Sequence, residues 1–281
     1  MDGLLIADAG SSKTEWSVIT DRSKKPLHFR TEGINPAHES FDSISIKIED
    51  LKNKIPDIKI NDIFFYGAGC ATDSLKKKIY DSLLHAFQPR QVTIESDLVG
   101  AGLALFGTGE GIACILGTGS NTGIISNGKI IQNIPSLGFI LGDEGGAVAL
   151  GKSLINAIFK RRWSKELINR FEEEYGLTLS QIIERVYRSE KPAPFIASFT
   201  PFLSKNIDHP EVRLLLENEF DKFFQRNILP YGHVIDYKIG MIGSIAYVFK
   251  DIIQLRAENF GIKISGILSN PLPNLEKYHI S

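Results

Sequence analysis

One order of elements occurs twice along this chain, and the repetition constrains the fold more than any other feature. Each copy is predicted as strand, strand, strand, helix, strand, helix, strand, from hydrophobic periodicity and from the turn-forming residues between periodic segments. A glycine-rich polar turn separates the first two strands of each copy, Asp8–Thr14 in the first and Gly117–Asn121 in the second. Alternating strands and helices predict an α/β fold. We therefore expect two similar domains, residues 1–106 and 107–281, with a helical insertion at about 160–235 in the second.

The periodicity also places the individual elements. The first copy is predicted to contain strands at Leu4–Ala7, around Trp16 and Val18, at Leu27–Arg30, Ile63–Tyr66 and Val92–Glu95, and helices at His38–Lys54, around Leu75–Leu83 and at Leu98–Phe106. The second is predicted to contain strands at Gly111–Leu116, Gly123–Ser126, Lys129–Ile131, Ile239–Ile242 and Ile262–Leu268, and helices at Gly146–Phe159 and Ile245–Phe260. Asn127–Gly128 is predicted to be a two-residue hairpin turn, because Asn-Gly favours the backbone angles that such turns require.

Length and composition exclude several classes of protein. The 281 residues suffice for two domains with hydrophobic cores, and a net charge of -1 does not favour a general nucleic-acid binder. No apolar run approaches the ~18 residues of a membrane-spanning helix, and the amino terminus lacks the basic segment of a signal peptide. Cys70 and Cys114 are the only cysteines, and their spacing indicates neither a zinc site nor a disulfide framework. We expect a cytoplasmic protein without nucleic-acid or membrane partners; a homodimer stays open.

The two glycine-rich turns are the strongest candidates for ligand binding. Backbone N–H groups bind phosphate, and small residues leave those groups accessible. A pair of tight β-turns without a ligand is the alternative interpretation, since glycine and serine are common in turns. Equivalent turns in both copies favour phosphate, because together they could hold one polyphosphate from two sides. The candidate nucleotide-binding residues in the turns are Gly10, Ser11, Ser12, Lys13, Thr14, Gly117, Thr118, Gly119 and Ser120.

Two aspartates end predicted strands, which is where ligands bind in α/β sheets. Asp8 lies beside the first turn, and a carboxylate next to a polyphosphate requires a cation, so we expect it to hold Mg²⁺ directly or through water. Asp97 could accept the proton of a substrate hydroxyl that attacks the γ-phosphate of ATP. The alternatives are a hydrogen-bonded turn residue for Asp8 and a helix N-cap for Asp97. Glu95, on the same strand face as Asp97, could be a silent neighbour.

Two further segments combine glycines with polar groups. Asp143 and Glu144 could hydrogen-bond the hydroxyls of a sugar, or could favour the start of the following helix through its dipole. Gly243 and Ser244 follow an apolar strand and open a helix. They could let an adenine or ribose lie against bare backbone, or could allow close packing of that helix on the strand.

Taken together, these segments resemble the actin-like ATPase superfamily of sugar kinases, hexokinases and actin, and within it the BadF/BadG/BcrA/BcrD-type ATPases and N-acetylglucosamine kinases. The resemblance covers nearly the whole chain. The motifs that carry it are the first phosphate motif at Asp8–Thr14, the second phosphate motif GTGSN at Gly117–Asn121, the acidic block GDEG at Gly142–Gly145, the adenosine motif at Ile242–Ala246, and Asp97, which matches the catalytic Asp of the family.

The resemblance implies two ribonuclease H-like domains and an ATP-dependent sugar kinase that uses Mg²⁺ and phosphorylates an amino sugar such as N-acetylglucosamine. It implies that the sugar contacts Asn35, Asp97, Gly138 and Asp143, and that the tail at 271–281 packs on the first domain. Ser11 and Ser12 depart from the Gly and Thr that the family usually carries. The segment 136–139 lacks the Trp found in some N-acetylglucosamine kinases.

Two other functions stay open. One is an ATP-driven activator of a radical dehydratase, which would bridge an iron–sulfur cluster between subunits and needs suitably placed cysteines. Cys70 and Cys114 lie in or next to apolar strands, which disfavours this function. The other is a protein that binds sugar without turnover, and the presence of both Asp8 and Asp97 disfavours it.

Overall fold

In the computed structural model, which describes residues 2–20, 25–189 and 191–280, ten strands form two mixed sheets of five strands each. The strands are β1 Asp2–Ala9, β2 Lys13–Ile19, β3 Leu27–Glu32, β4 Lys59–Gly67, β5 Gln91–Ser96, β6 Glu110–Leu116, β7 Ser120–Ser126, β8 Lys129–Ile134, β9 Ile239–Ile242 and β10 Ile264–Leu268. The helices are α1 Phe41–Lys54, α2 Asp73–Phe87, α3 Asp97–Phe106, α4 Gly138–Leu141, α5 Ala147–Phe159, α6 Lys165–Tyr175, α7 Leu179–Arg188, α8 Pro192–Ala197, α9 Thr200–Lys205, α10 Pro210–Phe223, α11 Ser244–Val248, α12 Lys250–Asn259 and α13 Leu272–Ile280.

The two sheets have the same strand order. The first runs β3-β2-β1-β4-β5, and the second runs β8-β7-β6-β9-β10, so each strand of the first copy has a counterpart at the same place in the second. In the first sheet β1 pairs antiparallel with β2 and parallel with β4, and β4 pairs parallel with β5. The carboxyl ends of β1, β4 and β5 therefore lie at one edge, together with the turn between β1 and β2. The predicted duplication of topology is confirmed.

The chain divides into two compact units whose limits differ from the predicted 1–106 and 107–281. Unit 1 comprises Met1–Ala113, Ile124–Gln132 and Asn270–Ser281, and unit 2 comprises Cys114–Gly123 and Asn133–Ser269. The outer part of the hairpin of β7 and β8, Ile124–Gln132, joins unit 1 because it packs on α3. A Cβ added at Gly102 of α3 would lie 2.5 Å from the Ile125 side chain, so only glycine permits this approach.

Unit 1 has an aromatic and aliphatic core between its sheet and helices. Trp16 of β2 is fully buried and packs 5.9 Å, centroid to centroid, from Phe65 of β4. The indole N–H of Trp16 donates to Thr31 Oγ1 at 3.0 Å, which satisfies its one polar atom. Helix α1 begins after Ser40, whose hydroxyl accepts the N–H of Ser43 at 3.2 Å.

The carboxyl-terminal helix α13 was not predicted from the sequence, although Pro273 occupies its first turn, where proline is tolerated. It packs within unit 1. The Asn274 side chain donates to the carbonyl of Ala104 at 2.8 Å, Glu276 lies 2.6 Å from His28 Nε2, and Tyr66 Oη lies 2.9 Å from His279 Nε2.

The second copy contains two further differences from the predicted elements. The predicted helix Ile245–Phe260 is two helices, α11 and α12, separated at the buried Phe249. The short helix α4 was not predicted. The residues between α5 and β9 form the helices α6–α10 and three further short helical segments, and they bury a cluster of aromatic rings around Phe171 and Phe199, 5.6 Å apart. None of the described helices combines the length and apolarity that crossing a membrane requires.

Candidate active site

Asp8 and Asp97 meet at the carboxyl edge of the first sheet. Asp8 is the penultimate residue of β1, and Asp97 is the first residue of α3, directly after β5. Burial raises the pKa of Asp8 to about 7, with further contributions from the charges of Asp97 and Glu15 and partial opposition from Lys13. Burial likewise raises the pKa of Asp97 to about 6, against the hydrogen bonds of nearby backbone N–H groups. Two half-buried carboxylates whose charges repel each other are stabilised when one of them binds a proton or when a cation binds beside them.

The helix-capping interpretation of Asp97 is wrong. Ser96 is the N-cap of α3, and its hydroxyl accepts the N–H of Val99 at 3.3 Å. Asp97 Oδ1 accepts the N–H of the adjacent Leu98 at 2.8 Å, which fixes the rotation of the carboxylate. Because another residue caps the helix, the capping role does not account for a carboxylate at this position.

The donor set around Asp8 fits a magnesium ion. Mg²⁺ prefers oxygen ligands, keeps several waters and uses few protein carboxylates, with substrate phosphates completing its shell. Within residues 2–20, 25–189 and 191–280 no three or more His, Cys, Asp or Glu side chains are grouped to hold a metal by themselves. A site that shares the ion with phosphate and water needs no such group. Asp8 is the residue that would hold Mg²⁺ here.

The first glycine-rich turn exposes serine hydroxyls and buries its threonine. The N–H of Gly10 donates to the carbonyl of Lys13 at 2.9 Å, which closes the turn and leaves Ser11 exposed at its tip. Lys13 Nζ lies 2.6 Å from Glu15 Oε1. Thr14 is fully buried, and its hydroxyl accepts the N–H of Ile34 at 3.1 Å. Of the predicted phosphate-binding residues, Thr14 thus holds the loop after β3 in place.

That loop carries Asn35 to the first turn. Asn35 is 8% exposed; its Nδ2 donates to Ser11 Oγ at 3.0 Å and its Oδ1 accepts the N–H of Ala37 at 3.0 Å. Gly69, with φ of +78°, packs against the same amide, since a Cβ there would lie 2.0 Å from Asn35 Oδ1. The structure therefore brings a predicted sugar-binding residue into direct contact with a predicted nucleotide-binding residue.

Glu39 organises this loop and was missed at the sequence level. Its carboxylate accepts the N–H of Asn35 at 2.9 Å and the hydroxyl of Ser43 at 2.9 Å, and it forms an ion pair with Lys47. Lys47 also donates to the carbonyl of Gly33 at 2.6 Å. Burial alone would raise the pKa of Glu39, but these hydrogen bonds outweigh it and hold the pKa below the usual 4.5. The spacing of Glu39 and Ser43 before and within a helix resembles ordinary capping, so sequence alone gave no signal of this role.

We expect Glu39→Gln to lower the free energy of unfolding by about 1–3 kcal/mol at about pH 7, as for hydrogen bonds to a charged group. Because the folded-state pKa of Glu39 is depressed, its contribution is present above the unfolded-state value and is lost as the pH falls through the folded value. Urea unfolding at about pH 7 and about pH 3 measures this. Asp50→Asn, which breaks an exposed pair with Lys54, is the control and should change stability little. A Glu39→Gln deficit that is independent of pH would contradict the prediction.

The second glycine-rich turn rests on the start of α5. The carbonyls of Gly117 and Thr118 accept the N–H groups of Ala147 and Val148 at 2.9 Å and 3.0 Å. A Cβ at Gly146 would lie 2.6 Å from the carbonyl carbon of Gly119, so the turn and the helix meet backbone to backbone. The first free N–H groups of α5 are thus used to hold the turn.

Asp143 and Glu144, predicted to bind sugar hydroxyls, both have partners within unit 2. Asp143 Oδ1 accepts the N–H of Ser120 at 3.3 Å, and burial raises the pKa of Asp143. Glu144 accepts from Arg226 at 2.9 Å and from Asn227 at 3.3 Å. Burial would raise the pKa of Glu144, but the bond from Arg226 and the further hydrogen bonds lower it overall. Asp143 therefore holds the second turn, and sugar binding by either residue stays a prediction.

The remaining predicted residues are Gly138, Gly243 and Ser244, and each lies either in an exposed segment or where two backbone segments pack closely. Gly138 is exposed, with φ of +72° at the start of α4, and the loop that contains it is closed by a hydrogen bond from the Asp143 N–H to the Ser136 carbonyl at 3.1 Å. Gly243 has φ of +128°, and a Cβ there would lie 2.2 Å from the Leu116 carbonyl. Close backbone packing, one of the two interpretations of Gly243, is present. Ser244 is exposed at the start of α11.

Both cysteines are buried and free. Burial raises the pKa of the Cys70 thiol to about 12 and raises that of Cys114 as well. Metal clusters require thiolates, so neither buried thiol is prepared to hold an iron–sulfur cluster. This agrees with the sequence-level argument against a dehydratase activator.

The chain is similar to solved structures along nearly its whole length. The "Putative N-acetylglucosamine Kinase" of Porphyromonas gingivalis is 36% identical, with a TM-score of 0.90 and coverage of 99% of this chain and 98% of that chain. The protein of the same description from Chromobacterium violaceum is 14% identical, with a TM-score of 0.76 and 99% of each chain covered.

A ROK family glucokinase from Streptomyces griseus, solved with glucose and AMPPNP, is 13% identical, with a TM-score of 0.61 and coverage of 98% of this chain and 97% of that chain. At these lower identities the likeness concerns the fold alone. No family model matches the chain, and no curated protein matches it. The similarities confirm the predicted α/β fold with two ribonuclease H-like domains.

Proposed function

The chain belongs to the N-acetylglucosamine kinase-type family of actin-like ATPases and is an ATP-dependent carbohydrate kinase, for which we propose an amino sugar, N-acetylglucosamine or a close relative, as the phosphoryl acceptor. The observation that carries the proposal is the position of Asp97. It is a half-buried carboxylate at the carboxyl edge of the sheet, held by the Leu98 N–H and next to Asp8 and the first glycine-rich turn. The cytoplasm supplies ATP and keeps thiols such as Cys70 reduced, and we place the reaction there.

In the proposed reaction a sugar hydroxyl oxygen attacks the γ-phosphorus of ATP. A new P–O bond forms to the sugar, the bond to the β,γ-bridging oxygen breaks, and ADP leaves. Asp97 accepts the proton of the attacking hydroxyl. With a pKa near 6, this carboxylate is mostly ionised at neutral pH and is still basic enough to take a proton.

Phosphate binding is assigned to both glycine-rich turns. In the first turn, the exposed Ser11 and Ser12 present their hydroxyls at the tip. In the second turn, Gly117, Thr118 and Gly119 belong to a backbone segment that is hydrogen-bonded to the start of α5. Adenosine is assigned to the segment of Gly243 and Ser244. Mg²⁺, when held by Asp8, supplies charge neutralisation for the β- and γ-phosphate oxygens. Most of the rate enhancement then comes from positioning and electrostatics.

The sugar is assigned to Asn35 and Asp97, with Gly138, Asp143 and Glu144 as further candidates. Glu39 accepts the backbone N–H of Asn35, and Ala37 and Ser11 hydrogen-bond to its side-chain amide, so the amide has one defined orientation. A fixed amide is suited to discriminate among hydroxyl patterns of sugars, because a wrong partner leaves its polar atoms unpaired.

Coupled ADP release across a panel of sugars tests the proposal. We expect N-acetylglucosamine, glucosamine or N-acetylmuramic acid to give a kcat/KM at least about tenfold above that for glucose, as a site with fixed polar partners discriminates by that much or more. Phosphorus NMR of the product identifies the phosphorylated hydroxyl. Equal or better turnover of glucose would contradict the amino-sugar assignment. If no sugar of the panel caused ADP release, the kinase assignment would be contradicted.

A further inference from the structure

We propose that Ser11 is a positioning residue that couples nucleotide binding to sugar binding through its hydrogen bond to Asn35. The proposal rests on the proposed function, since it assumes that the first turn binds phosphate and that Asn35 binds sugar. Its structural basis is the 3.0 Å contact between Asn35 Nδ2 and Ser11 Oγ, which joins the two segments directly.

The direction of this hydrogen bond is fixed by the neighbours of Asn35. Asn35 Oδ1 accepts the N–H of Ala37 at 3.0 Å, so the amide oxygen points to Ala37 and the amide nitrogen points to Ser11. An amide NH₂ group only donates, and the Ser11 oxygen must therefore accept. The hydroxyl keeps its own proton, which it can donate to an anionic oxygen outside the turn. The exposed position of Ser11 lets a phosphate oxygen reach that proton.

The hydrogen bonds are therefore donated in one direction, from Asn35 to Ser11 and from Ser11 to phosphate. A hydroxyl that donates to a charged acceptor becomes a better acceptor itself, because hydrogen bonds in a chain polarise one another. A bound phosphate is thus expected to strengthen the Asn35–Ser11 contact and to hold the Asn35 side chain in its sugar-binding orientation. By thermodynamic reciprocity, bound sugar strengthens nucleotide binding by the same factor.

Backbone packing makes the two segments move together. A Cβ at Gly33 would lie 2.3 Å from the carbonyl oxygen of Ser11, so the loop before Asn35 rests directly on the turn. Gly33 is also held by Lys47, which donates to its carbonyl at 2.6 Å. A shift of the turn on binding phosphate is therefore transmitted to the loop that carries Asn35.

Ser11 occupies a position of the turn where the family usually carries glycine. Glycine has no hydroxyl and cannot accept from Asn35, so the contact depends on the side chain that this chain carries. Ser11→Gly removes the hydroxyl at an exposed turn position where glycine is readily accommodated. Ser11→Thr keeps the hydroxyl and serves as the matched control, and Ser11→Ala is a second variant that lacks it.

The test is isothermal titration calorimetry of N-acetylglucosamine, with and without saturating AMPPNP and Mg²⁺, on the wild-type protein and the three variants. In the wild type we expect AMPPNP to increase sugar affinity by about fivefold or more, the lower end of ordinary coupling. Ser11→Gly and Ser11→Ala should reduce that factor by about threefold or more, towards a factor of one, which is the effect of losing one hydrogen bond. Ser11→Thr should retain it.

The outcomes separate the coupling from the function on which it rests. Wild-type protein that binds both ligands independently, or Ser11→Gly and Ser11→Ala proteins whose coupling equals that of the wild type, would overturn the coupling role and leave the kinase assignment intact. Wild-type protein that binds no amino sugar at all would contradict the proposed acceptor, and the coupling with it. Circular dichroism of each variant confirms that it is folded before titration.

Discussion

Asp97→Asn is expected to reduce kcat by about 10²- to 10⁴-fold while the protein still binds nucleotide. Asn keeps the size of the side chain and the oxygen that accepts the Leu98 N–H at 2.8 Å, so the start of α3 should be undisturbed. It cannot take the proton of the attacking hydroxyl. The helix cap is also preserved, because Ser96 supplies it. The loss should therefore appear in turnover and not in folding.

The measurement combines coupled ADP release with calorimetric binding of AMPPNP. Glu95→Gln is the matched control, since Glu95 is also a carboxylate at the end of β5 but is paired with Lys76 at 2.8 Å and is 42% exposed. We expect the control to keep kcat within about twofold, as for most exposed ion pairs. Near-wild-type turnover by Asp97→Asn would contradict the assignment of Asp97 as the base. Equal losses in both variants would indicate that the strand end, and not the carboxylate at 97, is required.

The second large effect is expected for Gly146→Ala. The added methyl group would lie 2.6 Å from the carbonyl carbon and 2.9 Å from the Cα of Gly119, and backbone atoms cannot rotate away as a side chain can. Helix α5 and the second turn must separate, which strains the bonds from Ala147 and Val148 to the turn carbonyls. We expect a loss of about 1–3 kcal/mol in the free energy of unfolding and a loss of at least about tenfold in AMPPNP affinity, equivalent to about 1.4 kcal/mol.

Gly266→Ala provides the control for this change. Gly266 lies in β10 of the same unit, and a Cβ there meets no atom within 4 Å, so the added methyl should alter stability by no more than about 0.5 kcal/mol. Urea unfolding and calorimetry of AMPPNP binding compare the two variants. If Gly146→Ala behaves like Gly266→Ala in both measurements, then the contact of turn and helix is not needed for the geometry of the turn.

The contrast between Asp97 and Asp143 shows where sequence reasoning succeeded and where it did not. Both were predicted as substrate-binding carboxylates. Asp97 lies at the sheet edge as expected, since the end of a strand and the start of a helix are local features. Asp143 accepts the N–H of Ser120, a partner 23 residues away, and no local pattern indicates that contact. Glu39 was missed for a different reason: its partners Asn35 and Lys47 are only four and eight residues away, and such short spacings resemble ordinary capping and pairing at the start of a helix.

The sequence by itself determined the repeated strand order, the two glycine-rich turns and the placement of Asp8 and Asp97 at strand ends. These features follow from periodicity and turn chemistry, which act over a few neighbouring residues. Only the tertiary structure decided that Asn35 reaches Ser11 and that α13 returns to Ala104, 170 residues earlier. Such contacts depend on burial and close packing between distant segments, and these are set by the complete fold.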